Sequence, residues 1–294
     1  MGPYPISVVV ATRVGWPKMR TASDPLLPQI KRVGGQLIIV DSSAQPQPAW
    51  ADDEDVLWIQ RPGATPYQLR QAGYAAAAAP IIAVTEDHCI AALDFVEMHI
   101  KEHEQHPEAA AIFGMVDNAS REHLVDWALY GVGYLASAPP DPSGQRNPSH
   151  ANLSFKAGTL REVAATGDAV IEFRYLDRLR SAGYSVVPSD RLCVSHVQST
   201  GLVTTSKLFF NNGRYIAGVR RQQMSGTDWM RALAPGLLAG YRTLRTIRIG
   251  RSKPAFRPVL IRTAPFVALL HGLHASGESV GYFFGPGNSA NFLH

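Results

Sequence analysis

Ile81-Ile82-Ala83-Val84-Thr85-Glu86-Asp87-His88 carries an apolar run of strand length straight into three residues that can hold a proton or a metal ion. The lack of polar alternation in that run is what a strand covered on both faces requires. Pro80, just before it, stops the helix predicted over residues 66–79, whose five alanines at 75–79 give it a small face that can lie close to a sheet. Similar runs stand at Ile6–Thr12 and at Gln36–Ser43, the latter ending in Asp41 and two hydroxyls after the Gly34-Gly35 turn, and a further strand is expected at Val56–Gln60. Residues 13–28 read as a polar, proline-containing loop with at most a short helix. Beyond His88 the pattern predicts a helix over about 91–105 and a strand at Ala110–Val116, with two short strands at Val186–Pro188 and Leu192–His196. Strands alternating with helices imply an α/β fold with a mixed, mainly parallel sheet flanked by helices.

Of the 294 residues, 46% are hydrophobic and 18% charged, which is the composition of a globular protein with ample core. Cys89 and Cys193 match no metal-ligand spacing and make no disulfide framework, so reduced thiols are expected. Met1-Gly2-Pro3-Tyr4-Pro5 lacks the charged and apolar regions of a signal peptide, which points to a cytoplasmic protein. Charge divides the chain: up to Ser206 there are 16 Lys and Arg against 22 Asp and Glu, and from Lys207 onward there are 12 against only Asp228 and Glu278. That asymmetry suggests a first domain over 1–205 and a basic, mainly helical extension over 206–294 that meets a membrane surface, a phosphorylated substrate or nucleic acid. No recognisable nucleic-acid motif is present, so nucleic acid is not the expected partner.

In a parallel sheet, ligands sit outside the carboxyl ends of the strands, so the polar residues that end the apolar runs are the candidates: Thr12, Asp41 and Glu86-Asp87-His88. The turn Ala11-Thr12-Arg13-Val14-Gly15-Trp16 lacks the glycine spacing of a dinucleotide cradle, which weighs against nicotinamide or flavin. A diphosphate held without such a cradle needs another source of positive charge, most simply a divalent cation on carboxylate and imidazole ligands.

Four pieces in order carry a resemblance. Val8–Thr12, Ile38–Ser43, Leu69-Arg70-Gln71-Ala72-Gly73 and Ile81–His88 together resemble the family 2 glycosyltransferases of GT-A fold, of the membrane-associated bacterial type. The resemblance implies an inverting transfer of a sugar from a nucleoside-diphosphate sugar to a hydroxyl acceptor, either lipid-linked or part of a growing glycan. It places Ala11, Thr12, Asp41, Arg70, Glu86 and Asp87 on the donor nucleotide, and Asp87, His88 and His196 on a Mn2+ or Mg2+ ion. The family's aspartate-rich motif is here Glu-Asp-His. Asn147-Pro148-Ser149-His150-Ala151-Asn152-Leu153-Ser154-Phe155-Lys156 is similar to the segment lining the sugar and acceptor side, which assigns His150 and Asn152 there. The Pro-rich 138–144 stretch before it is expected to be a loop. The amphipathic helix beginning near Ile171 resembles the family's acidic helix, which makes Glu172 the candidate base, with Asp168 next. Gly277-Glu278-Ser279-Val280-Gly281-Tyr282 looks like an ending found in membrane-associated members.

Each residue has a plainer competitor. Asp41 can cap a turn, Glu86, Asp87 and His88 can form an exposed loop, and Glu172 can pair with Arg174 or Arg178. His196 can be structural, and Asn152 can simply satisfy its loop's backbone groups. His99, His103 and His106 share helical spacing, but Lys101, Glu102 and Glu104 are interleaved with them, so a solvated face is expected. Basic residues recur among apolar ones in Trp229–Leu233 and Tyr241–Ile249, an interfacial pattern that implies docking on an anionic membrane without crossing it. The longest apolar run there, Ala264–Leu270, is well short of a span. The same helices could instead form a homo-oligomer contact. A noncatalytic phosphate-, nucleotide- or nucleic-acid-binding protein is the alternative function, while a nucleotidyltransferase lacks its glycine-rich basic loop.

Overall fold

The apolar runs form neighbouring strands in the computed structural model, which describes residues 4–140, 148–164, 172–198, 200–221 and 224–293. β1 (Ile6–Thr12), β2 (Gln36–Asp41), β3 (Val56–Gln60) and β4 (Ile81–Glu86) pair in parallel, with β1 between β2 and β4. The sheet continues with β5 (Cys89–Ala91), β6 (Ala109–Asn118), β7 (Leu153–Lys156) and β8 (Ser185–His196), giving the order β3-β2-β1-β4-β7-β6-β8-β5. β7 runs antiparallel to both β4 and β6, and β5 antiparallel to β8. The mixed sheet thus has a parallel half from β3 to β4 and a second half, from β7 to β5, that contains the antiparallel pairs. The 186–188 and 192–196 runs, expected as separate strands, are parts of the single strand β8, with Pro188 inside it.

By its contacts the chain divides into two compact units, residues 1–117 with 141–197 and residues 118–140 with 198–294. Residues 118–140, read from sequence with the first domain, thus group with the C-terminal helices. The first unit contains the sheet. Against one face pack α2 (Pro66–Ala76), α5 (Ala157–Ala164) and α6 (Glu172–Ser181): Leu69, Tyr74, Leu160, Tyr175 and Leu179 join Val9, Val40, Val84, Leu153 and Phe155 in one core. Gly73 lets α2 lie close, because a Cβ there would collide with Val9. α1 (Arg20–Val33) and α3 (Phe95–Gln105) serve the other face. α1 corrects the loop reading of 13–28. Pro25 and Pro28 sit inside it, yet it buries Leu26, Gln29 and Ile30, and its Gln29 donates to the Ala92 carbonyl at 2.8 Å and accepts from the Val96 amide. Tertiary packing and a side-chain clasp outweigh the local helix-breaking signal.

Side chains on a strand alternate between faces. In β7, Leu153 and Phe155 belong to the α2, α5 and α6 core, so Ser154 faces α3. There its hydroxyl lies 3.0 Å from both His99 Nδ1 and His103 Nε2, and both imidazoles are buried. The solvated reading of these two histidines is therefore wrong. Glu102, on the same face, is buried with Arg191 at 3.2 Å.

The second unit is helical: α4 (Leu124–Gly133), α7 (Leu202–Arg220), α8 (Gly226–Leu233), α9 (Pro235–Ser252) and α10 (Leu260–Phe284). Trp127 and Tyr130 of α4 pack with Phe256 and Leu260. The helical stretch Arg257–Phe284 is 28 residues long and reaches a mean hydropathy of 1.2 over 18 of them, long and apolar enough by length and composition to cross a membrane, which a count of uninterrupted apolar residues misses. Within the unit, α10 presses against α7 so closely that glycine is required on both sides. A Cβ at Gly213 would strike the His274 carbonyl oxygen, one at Gly277 that of Phe210, and one at Gly281 that of Arg214. Glu278 of α10 is buried and receives Arg242 of α9 at 3.0 and 3.1 Å.

Candidate functional site

Register lines up the expected donor residues along one edge of the parallel half. Asp41 pairs with Gln60 across β2 and β3, Thr12 with Asp41 across β1 and β2, and Ala11 with Glu86 across β1 and β4. The buried Asp41 carboxylate accepts from the Ser43 amide (2.7 Å), the Ser43 hydroxyl (2.9 Å) and the Gln60 amide (3.1 Å). Thr12 Oγ1 accepts from the Val14 and Gly15 amides, both at 3.2 Å, which fixes the turn after β1. Beside Asp41, an open cleft of about 780 Å³ is lined by Gln60, Arg61, Gly63, Gln68 and Gln71. Arg70, on α2, is buried, with its guanidinium 5.2 Å over the Tyr67 ring.

At the end of β4 the chain builds a second, denser group. β5 turns back antiparallel to β8, pairing Cys89 with His196 and bringing the Val197 amide to the His88 carbonyl at 3.0 Å. That pairing explains how His196, 110 positions along the chain from Glu86, comes to lie with its Nε2 3.2 Å from Glu86 Oε2. His150, in the loop before β7, has its Nε2 2.7 Å from Glu86 Oε1. The His88 Nε2 lies 3.8 Å from Glu86 Oε2 and 2.9 Å from His196 Nε2, and its Nδ1 meets Asp87 Oδ1 at 2.6 Å. Asp87 therefore orients His88 and leaves Nε2 to face the others. One buried carboxylate stands among three imidazoles.

Burial by itself would raise the Glu86 pKa, but His150, His88 and His196 hold its carboxyl well below the usual range. Burial also disfavours a charge on His88, yet Glu86 and Asp87 raise its pKa to about 9. Cys89 Sγ is 3.8 Å from Glu86 Oε2, and burial together with that carboxylate pushes the thiol well up, so it stays protonated.

The donor set fits a divalent cation. Glu86 and His196 offer ligand atoms 3.2 Å apart, and His88 Nε2 joins them at 2.9 Å from His196; the Cys89 sulfur lies in the same group, within 4.8 Å of these atoms of Glu86 and His196, but as a thiol it is a neighbour of the site and not a ligand. Two imidazole nitrogens turned toward each other beside a carboxylate is the arrangement that a shared cation satisfies. Of the residues assigned to metal from sequence, His88 and His196 are in this group, whereas Asp87 stands behind His88 and Glu86 takes the central place. His150, assigned to the sugar side, bonds Glu86. Asn152, assigned with it, is buried: its side chain donates to the Met115 carbonyl at 2.8 Å, and its own carbonyl accepts from Gly114, where a Cβ would strike that same side chain. Glu172 opens α6, but its side chain lies outside the described residues, as do Asp168 and the 141–144 part of the expected loop. Gln60 and Cys89 were missed; Gln60 ends a strand beside Asp41, which was a usable signal, while Cys89 is placed only by the β5–β8 pairing.

No family model and no curated protein matches the chain. Among solved structures, it is similar over 97% of its length to 90% of the mannosyltransferase PcManGT from Pyrobaculum calidifontis, a structure in complex with GDP-Man and Mn2+, at 13% identity and a TM-score of 0.58. A second structure, S. aureus TarS 1-349, aligns over 94% of this chain and 90% of that one at 10% identity and a TM-score of 0.47. The chain shares the fold of the mannosyltransferase, in agreement with the GT-A architecture to which its sequence resemblance pointed.

Proposed function

We infer that the chain is a glycosyltransferase that transfers a sugar from a nucleoside-diphosphate donor to a hydroxyl acceptor. The observation that carries this reading is the shared strand edge: Asp41 and Thr12 end β2 and β1, and the Glu86, His88 and His196 group ends β4 in register beside them. That spacing suits a ligand with a nucleoside at one end and a diphosphate at the other. The likeness in fold to a structure holding GDP-Man and Mn2+ supports the donor class.

In this reading Asp41, held by Ser43 and Gln60, receives the nucleoside beside the cleft at Arg61 and Gln68. Glu86, His88 and His196 hold a divalent cation, which when bound supplies positive charge to the diphosphate leaving group. Asp87 keeps the His88 tautomer that presents Nε2, and His150 fixes the Glu86 carboxylate. Glu172 takes the acceptor's proton as the sugar bond forms, giving inversion in a single displacement. The acceptor belongs to a lipid-linked or growing glycan at the cytoplasmic face of a membrane, a reading supported by the basic composition from Lys207 onward.

The test is a panel of nucleotide sugars without acceptor, with nucleoside diphosphate release and thermal stabilisation measured with Mn2+, Mg2+ or chelator. One donor is expected to stabilise the protein and to be hydrolysed slowly only with metal. If nucleotides stabilise the fold but no donor turns over with any acceptor supplied, the chain is a noncatalytic nucleotide-binding protein. If no nucleotide has any effect, the binding reading fails as well.

A further inference from the structure

In the second unit, six large apolar residues that follow one another along α8 and α9 face solvent. They are Trp229, Met230 and Leu233 on α8 and Leu237, Tyr241 and Leu244 on α9, and each is at least 50% exposed. Scattered exposed hydrophobes are ordinary, but a succession of this kind marks a surface that meets something apolar. On α9 the spacing of 237, 241, 244, 248 and 251 keeps these positions on one helical face. The face is therefore apolar over its first turns and cationic over its last, where Arg248 and Arg251 are exposed, with Arg245 exposed beside them. The opposite side of α9 is already used: Thr246 meets His271, Arg242 meets Glu278, and Gly250 fits against Phe256.

Charge identifies the occupant. From Lys207 onward the only acidic residues are Asp228 and Glu278. Both are buried, Asp228 with Arg231 and Tyr282 and Glu278 with Arg242, so neither offers a negative charge on the surface. An apolar face flanked by uncompensated arginines repels a second copy of itself and matches a layer that is apolar within and anionic at its surface. We propose that the exposed face of α8 and α9 is a membrane-docking surface, with Trp229, Met230, Leu233, Leu237, Tyr241 and Leu244 entering the headgroup boundary of an anionic bilayer and Arg245, Arg248 and Arg251 meeting its phosphates. The proposal does not depend on the glycosyltransferase reading.

The experiment is cosedimentation of the full chain with vesicles of phosphatidylcholine alone and of phosphatidylcholine mixed with phosphatidylglycerol, at low and high salt, alongside light scattering of the free protein. Binding is expected to be strong on the anionic vesicles at low salt and to weaken as salt screens it. Arg248→Glu with Arg251→Glu should weaken anionic binding by about tenfold or more. Leu237→Ser with Leu244→Ser should weaken binding while leaving its salt dependence in place. All of these residues are exposed, so melting temperatures close to the parent's are the control for folding. Absence of binding at low salt, equal binding to both vesicle types, or full binding by both variants overturns the proposal. A stable dimer in solution that Leu244→Ser dissociates overturns it too, because the face would then be covered by a second copy.

Discussion

Two groups of histidines lie in the first unit, a buried pair and a partly buried set around a buried carboxylate, and they have opposite chemistry. His99 and His103 share the Ser154 hydroxyl, and burial lowers their pKa values to about 3 and about 4, helped by the neighbouring positive charges of His103 for the first and of Lys156 and His106 for the second. His88 is also penalised by burial, yet it is raised to about 9, because Glu86 and Asp87 are beside it. Loss of water acts in the same direction on all three; the partner decides the sign. A hydroxyl keeps an imidazole neutral as a structural bridge, whereas a carboxylate makes the place one where positive charge, on a proton or a metal ion, is welcome.

The largest effect expected from breaking this contrast is at Glu86. Glu86→Gln keeps the shape but removes the charge, and should lower sugar transfer by about 10²-fold or more, with a matching loss of Mn2+ affinity by calorimetry. Retained metal affinity would show that the histidines do not need the carboxylate.

Acidity should separate the two groups next. For His99 and His103 the folded pKa lies below the ordinary value near 6.5, so their neutral packing stabilises fully above about pH 6.5 and is lost as pH falls toward 4. With both titrating, the slope approaches roughly 2–3 kcal/mol per pH unit. For His88 the folded value is raised, so in chelator its contribution is complete below about 6.5 and is lost as pH rises through about 9. Urea unfolding across this range checks both signs, and an unchanged midpoint between pH 6.5 and 4.5, a range set by the ordinary histidine value, contradicts the buried-neutral description.

A smaller loss, about 1–3 kcal/mol in the same unfolding measurement, is expected for Ser154→Ala, which leaves two buried imidazole nitrogens without their shared partner. Donor binding should be untouched. Smallest of all, His106→Ala should change stability by less than about 0.5 kcal/mol, because this partly exposed histidine lies 3.6 Å from the exposed Glu108 and water screens the pair. A larger effect would mean that a nearby carboxylate matters even without burial.

Local patterning tells what one strand states by itself. The run from Ile81 to Val84 announces a buried strand, and the residues that end it announce a site. Asp41 and Thr12 stand out as candidates for the same reason. The family resemblance puts His196 with Asp87 and His88 on an ion and His150 on the sugar side, but their closeness to Glu86 comes from the β5–β8 and β4–β7 pairings, which no local pattern in the sequence encodes. His99 and His103 were misjudged because Lys101, Glu102 and Glu104 made α3 look solvated, whereas Glu102 turns inward to Arg191 along with the two imidazoles. The prolines of α1 hid a helix that Gln29 clasps to the Ala92 carbonyl and the Val96 amide.

The contact between α7 and α10 sets a rule of spelling for related chains. At Gly213, Gly277 and Gly281 the obstacle to a side chain is the facing backbone carbonyl, which cannot rotate away as a side chain would. The alphabet at these three positions has one letter for as long as the helices keep this separation. Chains far diverged elsewhere that retain the pair should still write glycine at these places, which makes them fixed marks for aligning sequences that share little else.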